Sequence, residues 1–409
     1  MIEYYEILFY NNGMIEESLA VLKNLADLSY FEQEEPAASS CVLAEDDPPA
    51  AQPTPSRAST GSIPEIFHAK KSGGGEIRLL KTVLSTACER NCNYCAFRAG
   101  RDFHRETLKP DAMAKLFTQL NQAGIAEGLF LSSGVIGGGI RTQDKIIDTA
   151  EILRLKLGYK GYLHLKIMPG AEKDQVLRAM QLANRVSINL EAPNPSRLLK
   201  LAPLKTFADE LLKPLRWADE IRRTINPLSA FNLRWPSLAT QFVVGSVDES
   251  DRELLQITQY LHGKLSLSRI YFSRFEPVLN TPFENLPPEN PMRQVRLYQA
   301  AFLLRDYGYT LEDFQYSDSG RLPLDADPKL AWAREHLAEH PLEINTADRI
   351  QLLRIPGIGP VSVKRILKSR NRNPIKELGA LRALGISLER ALPFILMDGK
   401  RPDRQLRLW

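Results

Sequence analysis

The stretch from Leu79 to Cys95 reads Leu-Leu-Lys-Thr-Val-Leu-Ser-Thr-Ala-Cys-Glu-Arg-Asn-Cys-Asn-Tyr-Cys. Its first part, Leu79 to Ser85, is a short run rich in apolar and β-branched residues, which predicts a buried strand. The second part places Cys88, Cys92 and Cys95 at Cys-x3-Cys-x2-Cys spacing. Three thiolates on one short loop can hold three irons of a 4Fe-4S cube and leave the fourth iron open to an exchangeable ligand.

The composition of the chain excludes several other classes of site and protein. A zinc site would need a fourth ligand, and His104 is the only nearby candidate. Cys41 is the only cysteine outside the motif, so the chain has neither a disulfide framework nor the thiols for a second Cys-bound cluster. No apolar run reaches the roughly 18 residues of a membrane span, and no secretory signal is visible. We therefore expect a cytoplasmic enzyme.

After Ile63, short apolar runs alternate with helical patterns, which predicts parallel strands with helical crossovers. The 409 residues are enough for two or three domains. We expect a partial (βα)6 barrel, with a doubly wound open sheet as the alternative. The predicted strands are Leu79–Ser85, Gly128–Ser132, Tyr162–Ile167, Val186–Leu190, Thr240–Val244 and Ile270–Phe275. The predicted helices are Lys109–Ala123, Asp144–Leu157, Asp174–Ala183, Thr206–Thr224, Asp248–His262 and Pro291–Tyr307.

In both folds, chemistry gathers at the carboxyl ends of the strands. His164 and Lys166 are two residues apart on one predicted strand, so they share a face of the sheet. One of them could point inward as a ligand for a substrate or a carboxylate. Polar or small residues end three other strands: Ser132, Ser133, Gly134, Asn189, Glu191, Val244 and Gly245.

The cysteine motif, with Tyr94 just before its third cysteine, resembles the signature of the radical S-adenosylmethionine (SAM) superfamily. The resemblance implies a [4Fe-4S] cluster whose open iron chelates SAM, and reductive cleavage to a 5′-deoxyadenosyl radical. It also implies a SAM site built from Tyr94, the strand-end residues and Lys166. Ser132-Ser133-Gly134 takes the place of the family's Gly-Gly-Glu and lacks its acid. Asn189 and Glu191 would meet the ribose or the aminocarboxylate, and Val244-Gly245 the adenine.

The two ends of the chain differ in charge. Residues 1 to 62 carry 11 acids against 2 bases, and residues 341 to 409 carry 14 bases against 6 acids. We expect an N-terminal helical extension over 1–35, an acidic Pro/Ala/Ser-rich linker over 36–62, a radical SAM partial barrel over 63–340 and a basic module over 341–409. A basic module favours a polyanionic partner, although a solvated helical surface would have the same composition.

Within this module, Asn345 is expected to cap a helix that ends near Arg354, and a second helix is expected over Val361–Ser369. Between them, Ile355-Pro-Gly-Ile-Gly-Pro360 resembles the helix-hairpin-helix motif, which binds the nucleic-acid backbone. A degenerate second copy is expected around Gly385, and a small helical packing or protein-binding module is the alternative. The residues expected to bind DNA are Ile355, Gly357, Ile358, Gly359, Val361, Lys364 and Arg365.

Taken together, these features resemble a bacterial family of radical SAM proteins assigned to DNA modification or repair. That resemblance covers roughly residues 63 to 400 and implies DNA as substrate, with flavodoxin or ferredoxin as electron donor. Two alternatives remain: a radical enzyme that acts on RNA such as tRNA, and a non-catalytic iron-sulfur sensor that binds nucleic acid.

Overall fold

The computed structural model describes residues 66–70 and 76–402. These residues form two compact units, one of 66–70, 76–249 and 261–289, and the other of 250–260 and 290–402. The predicted N-terminal helix and acidic linker lie outside the described residues. The domain boundary predicted after residue 340 falls inside the second unit, and it remains a prediction.

The first unit is built on a seven-stranded sheet in which each strand pairs with the next along the chain. The first pair is antiparallel and the other five are parallel. The strands are β1 (Ile66–Lys70), β2 (Glu76–Val83), β3 (Gly128–Ser132), β4 (Tyr162–Lys166), β5 (Arg185–Ser187), β6 (Ser237–Val244) and β7 (Arg269–Arg274).

The strand order decides between the two predicted architectures. A doubly wound sheet reverses its strand order at a switch point, whereas this order runs from β1 to β7 without reversal. The α/β prediction is therefore confirmed as a curled half-barrel, and the doubly wound alternative is wrong. All six predicted strands are present, but the sequence did not predict β1. That strand pairs antiparallel to β2 only at the edge, and polar His68 interrupts its short pattern.

Helices connect the parallel strands. Two of them are extended by a π-helical segment, Ile152–Lys156 after the second helix and Phe207–Leu212 before the fifth. The helix over residues 195–201 was not predicted, because it is short and begins at Pro195. The helices are α1 (Pro110–Gln122), α2 (Gly139–Glu151), α3 (Lys173–Leu182), α4 (Pro195–Leu201), α5 (Lys213–Thr224) and α6 (Asp251–Leu265).

One face of the sheet is unusually polar. Lys81, Phe130, His164 and Arg185 are register partners on β2 to β5, so they share this face. Lys81 and His164 are buried there. Lys166, two residues beyond His164, belongs to the same face and marks the carboxyl end of β4.

The second unit is mainly helical. A short parallel pair, β8 (Leu342–Glu343) and β9 (Ile395–Leu396), joins the two ends of its C-terminal half. One apolar cluster extends from Ala333 to Met397, so residues on both sides of position 340 share a core. Its helices are α7 (Pro291–Asp306), α8 (Pro328–His336), α9 (Arg349–Arg354), α10 (Pro360–Arg370), α11 (Leu378–Ala383) and α12 (Leu388–Ala391).

The prediction that Asn345 caps the helix ending near Arg354 is wrong. Asp348 caps α9, accepting from the Gln351 backbone N–H at 2.8 Å, and Gln351 completes a capping box. The Asn345 amide instead exchanges two hydrogen bonds with the backbone of Ile375, at 2.8 and 3.0 Å. Within the described ranges, no helix is long and apolar enough to cross a membrane.

Candidate active site

The cysteine loop follows β2 and forms one wall of a cavity at the carboxyl ends of the parallel strands. Cys92 is buried, while Cys88 and Cys95 are partly exposed. The opposite walls come from the ends of β3 to β6 and from the segment after α4. The residues that line the cavity include Cys88, Arg90, Cys92, Tyr94, Cys95, Ser132, Ser133, Gly134, Lys166, Asn189, Glu191, Lys205 and Gln241.

Backbone amides point at two of the sulfur atoms. Cys88 Sγ accepts from the N–H groups of Arg90 and Val135, both at 3.4 Å, and Cys95 Sγ accepts from Phe97 at 3.4 Å. Such bonds stabilise negative charge on sulfur and tune an iron-sulfur cluster. Burial raises the pKa of the Cys92 and Cys95 thiols. Iron binding must therefore displace their protons.

The set of donor atoms fits a cube with one open iron. Each thiolate of such a cube binds a different iron, so the three ligands need not converge on one point. Among residues 66–70 and 76–402, no three His, Cys, Asp or Glu side chains converge to hold a single ion. His104, the fourth zinc ligand considered from the sequence, pairs with Glu106 at 2.7 Å and does not line the cavity.

Gly134 allows the end of β3 to touch the base of the cysteine loop. A Cβ at this position would lie 2.2 Å from the Ala87 carbonyl oxygen and 3.1 Å from Cys88 Cβ. The Gly134 N–H also donates to the Ser85 carbonyl at 2.7 Å. Only glycine permits this approach, so the small-residue strand end and the cysteine loop form one continuous backbone surface.

Glu191, just beyond β5, lies at the centre of a buried polar group. Tyr94 Oη donates to Glu191 Oε2 at 2.8 Å, and Lys205 Nζ donates to Oε1 at 2.7 Å. Burial alone would raise the pKa of Glu191, but Lys205 first, and then the charge of Lys166 and the Tyr94 hydrogen bond, outweigh it and hold that pKa below its usual value. Burial opposes the charge of Lys205, yet Cys92 and Glu191 raise its pKa. The cavity thus places a carboxylate and an ammonium beside Cys92.

Lys205 was missed by the sequence reasoning, because it lies in an irregular segment with no motif, 110 positions after Cys95. The cysteine loop packs on this segment. The Asn93 N–H donates to the Leu201 carbonyl at 2.8 Å, and Arg90 forms a 2.6 Å ion pair with Glu210. These contacts bring Lys205 to the cysteines.

The two basic residues of β4 have different environments. His164 is buried, and its Nε2 lies 2.8 Å from Ser187 Oγ. Burial lowers the pKa of His164, and the positive charges of Arg185, Lys166 and Lys81 lower it further. His164 is therefore a neutral imidazole, whereas Lys166 lines the cavity.

Two of the predicted residues are not brought to this cavity. Val244 is fully buried, and the Gly245 N–H donates to Glu249 Oε1 at 2.6 Å. Neither residue lines the cavity, while Gln241 of the same strand does. The predicted contact of Val244 and Gly245 with adenine remains a prediction.

The arginines after the cysteine motif hold the loop together. Arg105 donates to four backbone carbonyls, those of Thr86, Phe97, Arg98 and Arg101, at 2.9 to 3.1 Å. A guanidinium engaged in this way fixes the path of the chain around the cysteines.

Comparison with known proteins identifies this part of the chain. The model of the radical SAM superfamily matches residues 82–261, a range that contains the cysteine loop and most of the cavity. Residues 82–261 carry a radical SAM superfamily domain. It is an enzyme domain, and its superfamily uses a [4Fe-4S] cluster and SAM, which confirms the enzyme and cofactor predictions.

Solved structures with low sequence identity also match the chain. The [FeFe]-hydrogenase maturase HydG from Carboxydothermus hydrogenoformans is 16% identical, with a TM-score of 0.44 over 56% of this chain and 51% of that one. Methylornithine synthase (PylB) is 14% identical, with a TM-score of 0.43 over 56% and 61%. A radical SAM methyltransferase from Sphaerobacter thermophilus is 15% identical, with a TM-score of 0.40 over 57% and 69%. The chain thus spans about half to three fifths of the first two. No curated protein matches significantly.

The predicted hairpin lies outside the radical SAM match, in the second unit. Residues 355–359 are all buried, and Gly357 has a φ of +77°. The Ile358 carbonyl accepts from Lys329 Nζ at 2.6 Å. The side chains of Ile355 and Ile358 therefore belong to the core, and the hairpin tip is not an exposed phosphate cradle.

The exposed side of α10 carries the basic residues instead. Val361, Lys364, Arg365 and Lys368 are exposed at helical spacing on one face. The segment expected to contain a degenerate second copy forms α11, a turn at Gly385 with φ +81°, and α12, and its assignment as a second hairpin motif remains a prediction. Arg365 and Ser362 contact this second turn, because the Ser362 hydroxyl donates to the Gly385 carbonyl at 2.8 Å.

Proposed function

We propose that this chain is a radical SAM enzyme that modifies or repairs DNA, and that it acts in the cytoplasm, where a three-thiol cluster site stays reduced. The observation that carries the catalytic part is the convergence of Cys88, Cys92 and Cys95 with the Glu191–Lys205 pair on one cavity. The family match supports the domain and its cofactors. The DNA substrate rests on the basic face of α10 and on the resemblance of the paired hairpins.

In this proposal Cys88, Cys92 and Cys95 hold three irons of the cluster. When bound, the cluster and SAM supply a 5′-deoxyadenosyl radical that abstracts hydrogen from the substrate. Glu191 and Lys205 offer one negative and one positive group, which match the amino and carboxyl groups of the methionine part of SAM. Tyr94, Ser132, Ser133, Gly134 and Asn189 would complete the cofactor site, with Val244 and Gly245 proposed for the adenine.

The protein's own residues fix the orientation of Glu191. Tyr94 and Lys205 hold both oxygens of Glu191, so its carboxylate cannot rotate. The left-handed backbone of Glu191, with φ +66°, is held by a bridge to Phe242 of β6. A DNA base must leave the stack, or be single-stranded, to reach such a cavity.

For DNA binding, we assign the contacts with phosphate groups to the exposed face of α10. Lys364 and Arg365 lie four and three positions before Lys368, so the three side chains share one helix face and can follow one strand of the nucleic-acid backbone. Contacts of this kind carry affinity without sequence preference and weaken with salt. Ile355, Gly357, Ile358 and Gly359 would then act by shaping the hairpin, and Val361 by its exposed position at the start of α10.

The enzyme proposal is tested by anaerobic reconstitution with iron and sulfide, reduction with SAM present, and measurement of 5′-deoxyadenosine. Radical SAM enzymes need an electron donor, so dithionite and a flavodoxin system are compared. DNA and RNA oligonucleotides form separate arms. Product that increases with DNA supports the proposal, whereas product that increases only with RNA moves the substrate to RNA. A reducible cluster without product would favour the sensor alternative.

The binding proposal is tested with Lys364→Ala combined with Lys368→Ala, and with Lys400→Ala as the matched control. We expect the double variant to weaken DNA binding and to reduce the slope of log affinity against log salt by about one per lysine. Lys400→Ala should match the wild type, because this exposed lysine lies outside the α10 face. An unchanged slope in the double variant would contradict the proposed face.

A further inference from the structure

The cavity contains a second buried cation besides Lys205, which acts on Glu191 through space but forms no hydrogen bond with it. Lys166, at the carboxyl end of β4, is 7% exposed and lines the cavity. Its ammonium lies 5.6 Å from the centre of the Phe130 ring. Within the part of the chain that the structure describes, it has no hydrogen-bond acceptor. Because a buried ammonium without an acceptor is costly, this site favours a ligand that brings an oxyanion.

The surrounding sheet face adds positive charge. Lys81 and Arg185 lie on the same face as Lys166, and both act with it on His164 to lower the pKa of that imidazole. Three cationic side chains therefore share this face of the sheet, an arrangement that favours an anionic ligand nearby.

The carboxyl group of SAM is not the best occupant for Lys166. An aminocarboxylate carries one cation and one anion, and the Glu191–Lys205 pair already presents one of each beside Cys92. The Lys166 ammonium instead lies near the ring of Phe130. Phe130 is the register partner of His164, which precedes Lys166 by two residues on β4. The anion that Lys166 would bind therefore comes from a second molecule.

We propose that Lys166 binds an anionic oxygen of the substrate. Resting on the proposed function, this anion is a phosphate of the nucleotide that enters the cavity. The assignment separates Lys166 from the cofactor residues with which the sequence grouped it, and it makes the cavity selective for phosphorylated substrates over free nucleosides. A charged lysine that donates to a phosphate contributes more than a neutral hydrogen bond.

The test compares nucleotide binding with cofactor binding in Lys166→Met, which keeps the length of the side chain and removes the charge. Lys200→Met, an exposed lysine on α4, is the matched control. Reconstituted protein is dialysed against each of the four deoxynucleoside 5′-monophosphates, against the matching deoxynucleosides and, separately, against SAM. Iron content and melting temperature are measured for every variant.

We expect the wild type to bind at least one monophosphate more tightly than its nucleoside, and Lys166→Met to lose roughly tenfold or more of the nucleotide affinity. SAM affinity and iron content should stay at wild-type values, and the melting temperature shows whether the variant is folded. Equal wild-type affinity for nucleotide and nucleoside would overturn the proposal. A loss of SAM affinity with unchanged nucleotide affinity would return Lys166 to the cofactor site.

These binding readouts do not depend on turnover. If the reconstituted enzyme formed no 5′-deoxyadenosine with DNA, the proposed function would fail while nucleotide binding could still be scored. Conversely, active enzyme whose Lys166→Met variant binds nucleotides normally would overturn only the role of Lys166.

Discussion

Lys205 Nζ lies 2.7 Å from Glu191 Oε1, and the two side chains are only 9% and 4% exposed. This ion pair joins the end of β5 to the segment after α4, and it lies beside Cys92. A charge buried to this degree is tolerated only with a partner, since desolvation costs several kcal/mol per ion. The pair is therefore a structural requirement of the cavity as well as a candidate cofactor contact.

Breaking the pair from one side should destabilise the first unit. Lys205→Met leaves Glu191 as a buried carboxylate without its cation, and we expect a loss of about 3 kcal/mol. The measurement is the opening free energy of β5 and β6 amides in cluster-free protein, from hydrogen exchange. Combining Lys205→Met with Glu191→Leu should cost less than the sum of the two single variants. Strict additivity would show that the two side chains are not coupled.

Gly134→Ala should disturb the base of the cysteine loop, because the new methyl group would lie 2.2 Å from the Ala87 carbonyl oxygen. We expect the reconstituted variant to retain well under half of the wild-type iron. The matched control is Gly263→Ala, on α6, where nothing lies within 4 Å of the added Cβ. That change should leave iron content intact and stabilise the helix by about 0.5–1 kcal/mol. Full iron content in Gly134→Ala would mean that the loop can shift without cost.

Lys329 should make the second unit more stable at higher pH. Burial lowers the pKa of Lys329 to about 7, from a usual value of 10.5. Between these values the unfolded chain binds more protons than the folded chain, so the free energy of unfolding rises with pH. Below pH 7 the folded chain carries the full cost of burying a charged Lys329. At about 1.4 kcal/mol per pKa unit, the free energy of unfolding can rise by about 5 kcal/mol at most over this range. Urea unfolding at pH 6.5 and 8.5 measures the slope, and Lys329→Met should flatten it. An equal slope in both proteins would contradict this origin.

Gly357→Ala should destabilise the second unit through packing rather than through a lost phosphate contact. Gly357 has a φ of +77°, and an added Cβ would lie 2.6 Å from the Ser387 carbonyl oxygen. We expect a loss of about 2 kcal/mol or more, seen as faster hydrogen exchange in α9 to α12. Gly379→Ala, on α11 with nothing within 4 Å, serves as the control and should be neutral or stabilising. Normal exchange in Gly357→Ala would show that the hairpin tolerates a side chain.

The sequence by itself determined the elements whose signals are local. Apolar runs such as Gly128–Ser132 predicted their strands, since burial on both faces of a parallel sheet requires continuous apolar residues. The spacing of Cys88, Cys92 and Cys95 predicted an iron-sulfur site, because one short loop fixes how far apart three thiols can be. The glycines at 357 and 359 likewise predicted a tight turn between two helices.

Only the tertiary structure decided which distant groups meet. Lys205 reaches Glu191 because the loop after α4 packs on the cysteine loop, a contact between segments about 110 positions apart that no local pattern encodes. Gln241 rather than Val244 lines the cavity, since side chains alternate along β6 and Val244 lies on the opposite face, where it is buried. The hairpin at Gly357 is buried because a second turn and Lys329 cover it. Burial and charge pairing depend on long-range packing, whereas strand, loop and turn propensities depend on neighbours in the chain.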